Sequence, residues 1–289
     1  MNGFFLIVIV AMMVLQNIVR KQYNLKLAQP GVFVFNGTSC LAAMAVFLVY
    51  SKGDLHFTWA FIPYAVLFAV FFGMATLFAL LAIRTGPLSF TSLIISYSLV
   101  IPTFLLMLLP QPDGARAPSV GALFYVGFAL LLLSLLLINN YSGNNRFSFK
   151  WVLFAVLAFL GNGLCSTVQT YQQRVFAGAY KSELMIVALT LLAVLFFLLA
   201  AFAERTTVVP SLKGGAVLMV MYGVAVGLVN LLVMVLSNRM NPSLLFPLIS
   251  GGNLVLTSGV SLFFYKEKLT KLQLTGLCLG IGAVVLLNM

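Results

Sequence analysis

Charge is scarce in this sequence. Asp, Glu, Lys and Arg together make up 7% of the 289 residues, whereas 62% are hydrophobic. A soluble domain carries about a quarter charged residues, so the composition excludes an ordinary soluble domain and indicates a protein of the lipid bilayer. The 16 basic and 5 acidic residues give a net charge of +11. Because the basic residues do not cluster on a soluble face, we expect loops against anionic headgroups and no nucleic-acid binding.

Acidic residues are the rarest charged type, and they are absent from the apolar runs. All five lie in the gaps between runs: Asp54, Asp113, Glu183, Glu204 and Glu267. Without an acid at membrane depth, the chain lacks the usual counter-ion for a cation and the usual proton relay. Cation–proton antiport based on acidic residues is therefore disfavoured. Aromatic faces such as those of Tyr64, Tyr97 or Tyr171 could still hold a cation.

Groups that perform enzymatic chemistry are also missing. The single histidine, His56, lies in a loop, and the sequence contains no His-Glu-x-x-His, Gly-x-Ser-x-Gly or paired intramembrane aspartates. Clusters of metal ligands are absent. Cys40, Cys165 and Cys278 each lie inside an apolar run, which favours buried thiols over disulfides. We predict a protein that is not an enzyme and has no metal site or cofactor.

The rest of the sequence consists mainly of long apolar runs. A helix needs about 20 residues to cross the hydrocarbon core, and ten runs approach or exceed this length. They cover residues 3–19 (extendable to about 26), 31–50, 59–83, 88–109, 119–139, 151–173, 184–203, 214–238, 243–264 and 272–288. Residues 3–19 lack a basic leader and a small-residue cleavage site, so we interpret them as a retained span rather than a signal peptide.

A sequence repeat relates the two halves of the chain. Arg84-Thr85-Gly86-Pro87 recurs 155 residues later as Arg239-Met240-Asn241-Pro242, and Leu93-Ile94 and Leu99-Val100 match at the same offset. The arginine suits the negative end of a helix dipole. The Gly or Asn suits a left-handed residue that ends the helix, and the proline can begin the next one.

The number of spans predicts how the halves are arranged. Five spans fall in each half, and an odd number makes the second half enter the bilayer from the opposite side. We predict an all-α polytopic membrane protein with ten transmembrane helices. These would form two inverted five-helix repeats, residues 1–145 and 146–289.

Polar side chains recur on single faces within the spans. Asn162, Ser166, Gln169 and Gln173 follow helical spacing in one span, and Ser250, Asn253, Thr257 and Ser261 do so in another. One interpretation is hydrogen bonding between helices, at about 1 kcal/mol per bond. The other is a shared polar cavity. Candidate cavity residues are Gln16, Asn17, Asn36, Tyr64, Ser96, Tyr97, Asn162, Ser166, Gln169, Thr170, Asn230, Ser250 and Asn253.

Two further sets of residues each have two interpretations: the prolines and glycines inside the spans, and the arginines near span ends. Pro102, Pro247 and the Gly251-Gly252 pair are candidate hinges or gates, although glycines also allow close helix packing. Arginines near span ends could attract an anion. The favoured interpretation for them is dipole complementation with snorkelling to headgroups. These arginines are Arg20, Arg84, Arg174 and Arg239.

The run Tyr222–Leu287 resembles the second repeat of ten-helix EamA-type members of the drug/metabolite transporter superfamily. The similar features are the Pro242 turn, Glu267-Lys268-Leu269-Thr270, and Leu272-Gln273 followed by Gly276. Residues 64–139 are similar to the first repeat. There, Pro110–Pro118 replaces the acidic turn, and the amino-terminal helix lacks the family's tryptophan-centred motif. The resemblance implies a carrier without ATP hydrolysis, in a bacterial cell membrane, in which the third and fourth helices of each repeat gate a central cavity.

We therefore predict a secondary active transporter, an exporter, that moves a small polar metabolite by alternating access. The substrate would be an amino acid or a related neutral, zwitterionic or anionic compound, and the protein a monomer or homodimer. The alternative is a flippase for a lipid-linked carrier, or a membrane scaffold without transport. A groove open sideways to lipid would favour the flippase, and a dry, fully packed centre the scaffold.

Two criteria give opposite membrane orientations. With the amino terminus inside, cytoplasmic gaps would hold five Lys or Arg residues and the opposite gaps eleven. The positive-inside rule then favours both termini outside, whereas the family resemblance implies both inside.

Overall fold

The computed structural model describes residues 2–98, 100–110, 121–122, 125–127, 129–130, 133–134, 148–266 and 271–286. These residues form helices and connecting turns, with no β-strand among them. The helices are α1 (Asn2–Lys26), α2 (Val32–Ser51), α3 (Ile62–Thr85), α4 (Leu88–Tyr97), α5 (Val100–Leu108), α6 (Phe149–Val175), α7 (Lys181–Ala203), α8 (Val208–Ser237), α9 (Pro242–Phe263) and α10 (Lys271–Leu286). A 3₁₀ turn, Trp59–Phe61, precedes α3.

Eight helical stretches within the described residues are long and apolar enough to cross a membrane. They contain α1, α2, α3, α6, α7, α8 and α9, and the eighth runs through α4 and α5. Large apolar side chains such as Phe4, Val49 and Phe202 are exposed on their outer surfaces. The chain is thus an integral multi-pass membrane protein.

Two of the predicted spans lie partly outside the described residues and are not tested. The predicted span 119–139 lies largely outside the described residues. Of the predicted last span, 272–288, the structure describes residues up to 286, and these lie in α10.

The turn at Gly86 was predicted wrongly. Its φ is −155° and its ψ is −175°, so the backbone is extended and not left-handed. The glycine is required for a different reason: a Cβ atom there would overlap the indole ring of Trp151. Pro87 then caps α4, and Pro242 begins α9 as predicted.

Helix α2 lies between α7 and α8. It is antiparallel to α7, and the contacting pairs along it are Val32 with Glu204, Gly37 with Phe197, and Met44 with Thr190. It is parallel to α8, and the pairs there are Gly31 with Ser211, Ser39 with Met219, and Val46 with Gly227. Side chains of these three helices contribute to the largest apolar core.

Two other pairs of helices are antiparallel. Helix α3 runs against α6, with Tyr64 beside Tyr171, Ala75 beside Gly161, and Phe78 beside Phe154. Helix α1 runs against α8, with Arg20 beside Tyr222, Tyr23 beside Gly215, and Leu27 beside Gly214. Glycines allow the helices to approach closely in both pairs.

Two further pairs of helices are parallel. The α4–α5 stretch follows α6, with Thr91 bonded to Trp151 and Ser98 bonded to Asn162. Helix α1 follows α9, with Val10 against Gly252, Asn17 bonded to Thr257, and Gln22 bonded to Tyr265. These directions bring polar faces from six helices together at the centre.

Candidate functional site

A cavity of about 90 Å³ lies between α1, α3, α4, α6, α8 and α9. This volume has room for several water molecules. Seven of the thirteen predicted cavity residues line it: Gln16, Asn17, Asn162, Ser166, Gln169, Asn230 and Asn253. The structure therefore brings amides from α1, α6, α8 and α9 to one central space.

The cavity contains a buried arginine. Arg20 of α1 is 7% exposed and lines the cavity. Its guanidinium donates a hydrogen bond to the Tyr222 hydroxyl and lies 4.8 Å from the centre of that ring. Its Nε has no hydrogen-bond partner among the described residues.

The snorkelling interpretation of Arg20 is wrong. Arg20 lies six residues before the end of α1, which is about 9 Å along the helix axis. Its partner, Tyr222, is near the middle of the 30-residue α8. The Arg20 side chain thus points into the protein and not toward a headgroup, because the Tyr222 hydroxyl, near the middle of α8, accepts its hydrogen bond.

One hydrogen-bond network joins α1, α9 and α4 beside the cavity. Asn17 donates its amide N–H groups to the Thr257 hydroxyl at 3.2 Å and to the Asn253 side-chain oxygen at 3.4 Å. Asn253 in turn donates to the Ser96 hydroxyl at 2.8 Å. Ser250 donates to the backbone oxygen of Ser96, also at 2.8 Å. Ser96 and Ser250 therefore hold helices together beside the cavity and do not line it.

Asn162 forms another hydrogen bond between helices, at the point where the fourth predicted span is divided into α4 and α5. Helix α4 ends at Tyr97 and α5 begins at Val100. Pro102 has no N–H to donate to the carbonyl of Ser98, four residues earlier, which accounts for the break. At the break, Asn162 donates to the Ser98 hydroxyl at 2.7 Å. Pro102 itself lies within α5, and its role as a hinge or gate stays a prediction.

The other predicted hinge residues lie in a continuous helix. Helix α9 runs without interruption through Pro247, Gly251 and Gly252. A Cβ atom on Gly252 would lie 2.8 Å from Val10. Close packing against α1 therefore explains this glycine.

Four predicted cavity residues lie elsewhere. Tyr64 packs against Tyr171 and Phe176, at ring-centre distances of 6.2 and 5.8 Å. Tyr97 is buried with its hydroxyl 3.2 Å from that of Ser134. Thr170 is buried outside the cavity. Asn36 lines a smaller adjoining pocket and donates to the Val32 carbonyl at 2.9 Å.

Helices α3, α6 and α8 contribute side chains that the polar patterns did not single out. Thr76, Tyr222 and Cys165 line the cavity together with apolar residues such as Phe72 and Val229. Thr76 and Tyr222 belong to no stripe of polar residues at helical spacing, so no helical pattern marked them. Within the described residues, no group of three His, Cys, Asp or Glu side chains could hold a metal ion.

No protein-family model matches this chain, and no curated protein matches it. A solved structure described as "Crystal structure of protein" is similar, with a TM-score of 0.68 at 14% sequence identity. The similarity covers 97% of this chain and 98% of that one. At this level of identity the similarity demonstrates a shared fold alone.

Proposed function

We propose that this protein is a secondary active transporter of a small polar metabolite, in which two inverted five-helix repeats alternate the access of a central cavity. The proposal includes the predicted kinship with EamA-type carriers of the drug/metabolite transporter superfamily. The observation that carries it is the polar cavity between helices of both halves. A membrane scaffold without transport activity has no need for a cavity lined by amides.

The contacts between helices support the inverted repeat. If α1, α2, α3 and α4–α5 correspond to α6, α7, α8 and α9, each contact should recur with the halves exchanged. The antiparallel packing of α3 on α6 then corresponds to that of α8 on α1. The parallel packing of α4–α5 beside α6 corresponds to that of α9 beside α1. Helices α2 and α7 are partners and run in opposite directions, as inverted repeats require.

The cavity hydrogen bonds recur in the same way. Asn17 of α1 bonds to Asn253 of α9, and Asn162 of α6 bonds to Ser98. Residues 98 and 253 are 155 positions apart, which is the offset of the sequence repeat. An amide on the first helix of each half thus bonds to the fourth helix of the other half. Such paired contacts provide a physical basis for closing one side of the cavity while the other opens.

Transport in proteoliposomes tests this proposal. Purified protein would be reconstituted into vesicles loaded with unlabelled metabolite, and entry of the same radiolabelled metabolite would be followed. A carrier exchanges the two pools and accumulates label transiently, whereas a scaffold does not. Vesicles that exchange no member of a panel of amino acids, hydroxy acids and polyols above the rate of protein-free vesicles would contradict it.

A further inference from the structure

The charge balance of the cavity suggests what kind of molecule occupies it. Among its lining residues, Arg20 is the one Lys or Arg, and none is Asp or Glu. No ion pair to Arg20 occurs among the described residues. A cation at membrane depth is costly unless an anion or several acceptors compensate it.

The residues that the structure describes compensate this cation incompletely. A guanidinium carries five N–H donors. Tyr222 provides one acceptor and an aromatic face, and Nε is left buried without a partner. Planar N–H donors on one edge of a guanidinium match the two oxygens of a carboxylate. A carboxylate that enters the cavity would therefore match the donors of Arg20 that the described residues leave uncompensated.

The surroundings limit the charge and size of that molecule. A single guanidinium neutralises one negative charge, so a dianion such as the doubly ionised form of phosphate would retain an uncompensated charge in the cavity. The volume of about 90 Å³ favours a molecule of few non-hydrogen atoms. The nearby amides and hydroxyls of Gln16, Asn162, Ser166 and Asn230 can bind a hydroxyl or amino substituent.

We infer that Arg20 anchors the carboxylate of the transported molecule, which is a small carboxylic acid carrying at most one net negative charge. This inference rests on the proposed transport function, because it assigns the substrate class of the same cavity. Arg20 would contact the substrate directly, with Tyr222 holding the guanidinium in place.

Binding to purified protein tests the inference with lactate, glycine, glycerol and inorganic phosphate as probes at matched ionic strength. The variants are Arg20→Gln and Arg20→Lys, and Arg84→Gln is the matched control because Arg84 is exposed on α3. We expect lactate or glycine to bind the wild type. Their Kd should rise about ten- to a hundred-fold in R20Q, because a hydrogen bond to a charged group is lost. R84Q should bind as the wild type does.

The lysine variant separates a binding role from a structural one. R20K keeps the charge but loses the planar pair of donors, so its Kd should lie between those of the wild type and R20Q. If R20Q does not fold, R20K alone tests whether Arg20 binds the substrate. Its Kd is then compared with that of the wild type, provided that both proteins have the same melting temperature. An unchanged Kd in the folded variant would overturn the inference. Wild-type protein that binds neither carboxylate, or binds glycerol or phosphate more tightly, would also overturn it.

Flux measurements distinguish this inference from the proposal on which it rests. Exchange of glycerol at the same rate by the wild type and R20Q would overturn the carboxylate anchor and leave the transporter proposal standing. Arg20-dependent binding of lactate without exchange across the membrane would overturn the transport proposal and leave the anchor standing.

Discussion

Substitution of Glu204 tests how the start of α2 is held between α7 and α8. Its carboxylate accepts hydrogen bonds from the backbone N–H groups of Val32, Phe33 and Val34, at 2.5 to 3.1 Å. The Gly31 N–H donates to the Ser211 hydroxyl at 2.9 Å. A helix leaves four N–H groups at its start without partners in the helix. Here all four are bonded by side chains from the junction of α7 and α8.

The expected loss of stability follows from these bonds. Glu204→Gln keeps one acceptor oxygen but loses the charge that favours bonds to N–H groups and to the positive end of the helix dipole. We expect it to lower the free energy of unfolding by about 2 kcal/mol. Glu204→Ala removes all the acceptors and should cost roughly 3–5 kcal/mol, an upper range because water can reach this half-buried site.

The assay is the melting temperature of purified protein in detergent, followed by tryptophan fluorescence. Asp54→Asn is the control, because Asp54 is 81% exposed and its ion-pair partner among the described residues is the exposed His56. Such a surface pair is worth less than about 1 kcal/mol. The expected order of melting temperatures is wild type, D54N, E204Q and then E204A. Equal melting temperatures for D54N and E204A would refute the capping argument.

Two further predictions concern the packing and the polar network. Gly161→Ala should destabilise the protein by about 1–3 kcal/mol, since its Cβ would lie 2.6 Å from the Ala75 nitrogen. Gly259→Ala, with open space at its Cβ, should not lower the melting temperature, and equal losses would count against close packing of α3 on α6. Asn253→Ala removes the bonds to Asn17, Ser96 and Thr257 and should cost about 2 kcal/mol. Exposed Thr275→Ala is its control in the same unfolding assay, and a loss no larger than that of T275A would contradict the network.

The membrane-spanning helices could be predicted from the sequence because charged residues are costly in lipid. Long runs without charge can be recognised without any knowledge of tertiary contacts. It also marked the polar faces of α6 and α9, since amides at helical spacing stand out in apolar runs. The interpretation of Pro102 as a helix breaker used only a local property of the chain, its missing N–H.

Other features depended on contacts that a single helix does not reveal. The pattern that includes Ser250 predicted a polar face, but whether such a face meets a cavity or another helix depends on the neighbouring helix. Gly86 is required by the ring of Trp151, 65 residues away in sequence. Arg20 was assigned to the headgroups because its position near a span end is the usual one for snorkelling. Its true partner, Tyr222, is 202 residues away.

Access to the cavity from both sides of the membrane tests the central claim most directly. Ser166 lines the cavity, and a Ser166→Cys variant in a background with Cys40, Cys165 and Cys278 replaced by alanine would report on access. The protein would be reconstituted in one orientation and treated with a membrane-impermeant thiol reagent added outside or trapped inside the vesicles. Our account predicts that the cysteine reacts from both sides, and that a substrate gradient shifts the ratio of the two rates. Reaction from one side alone under every gradient would contradict alternating access.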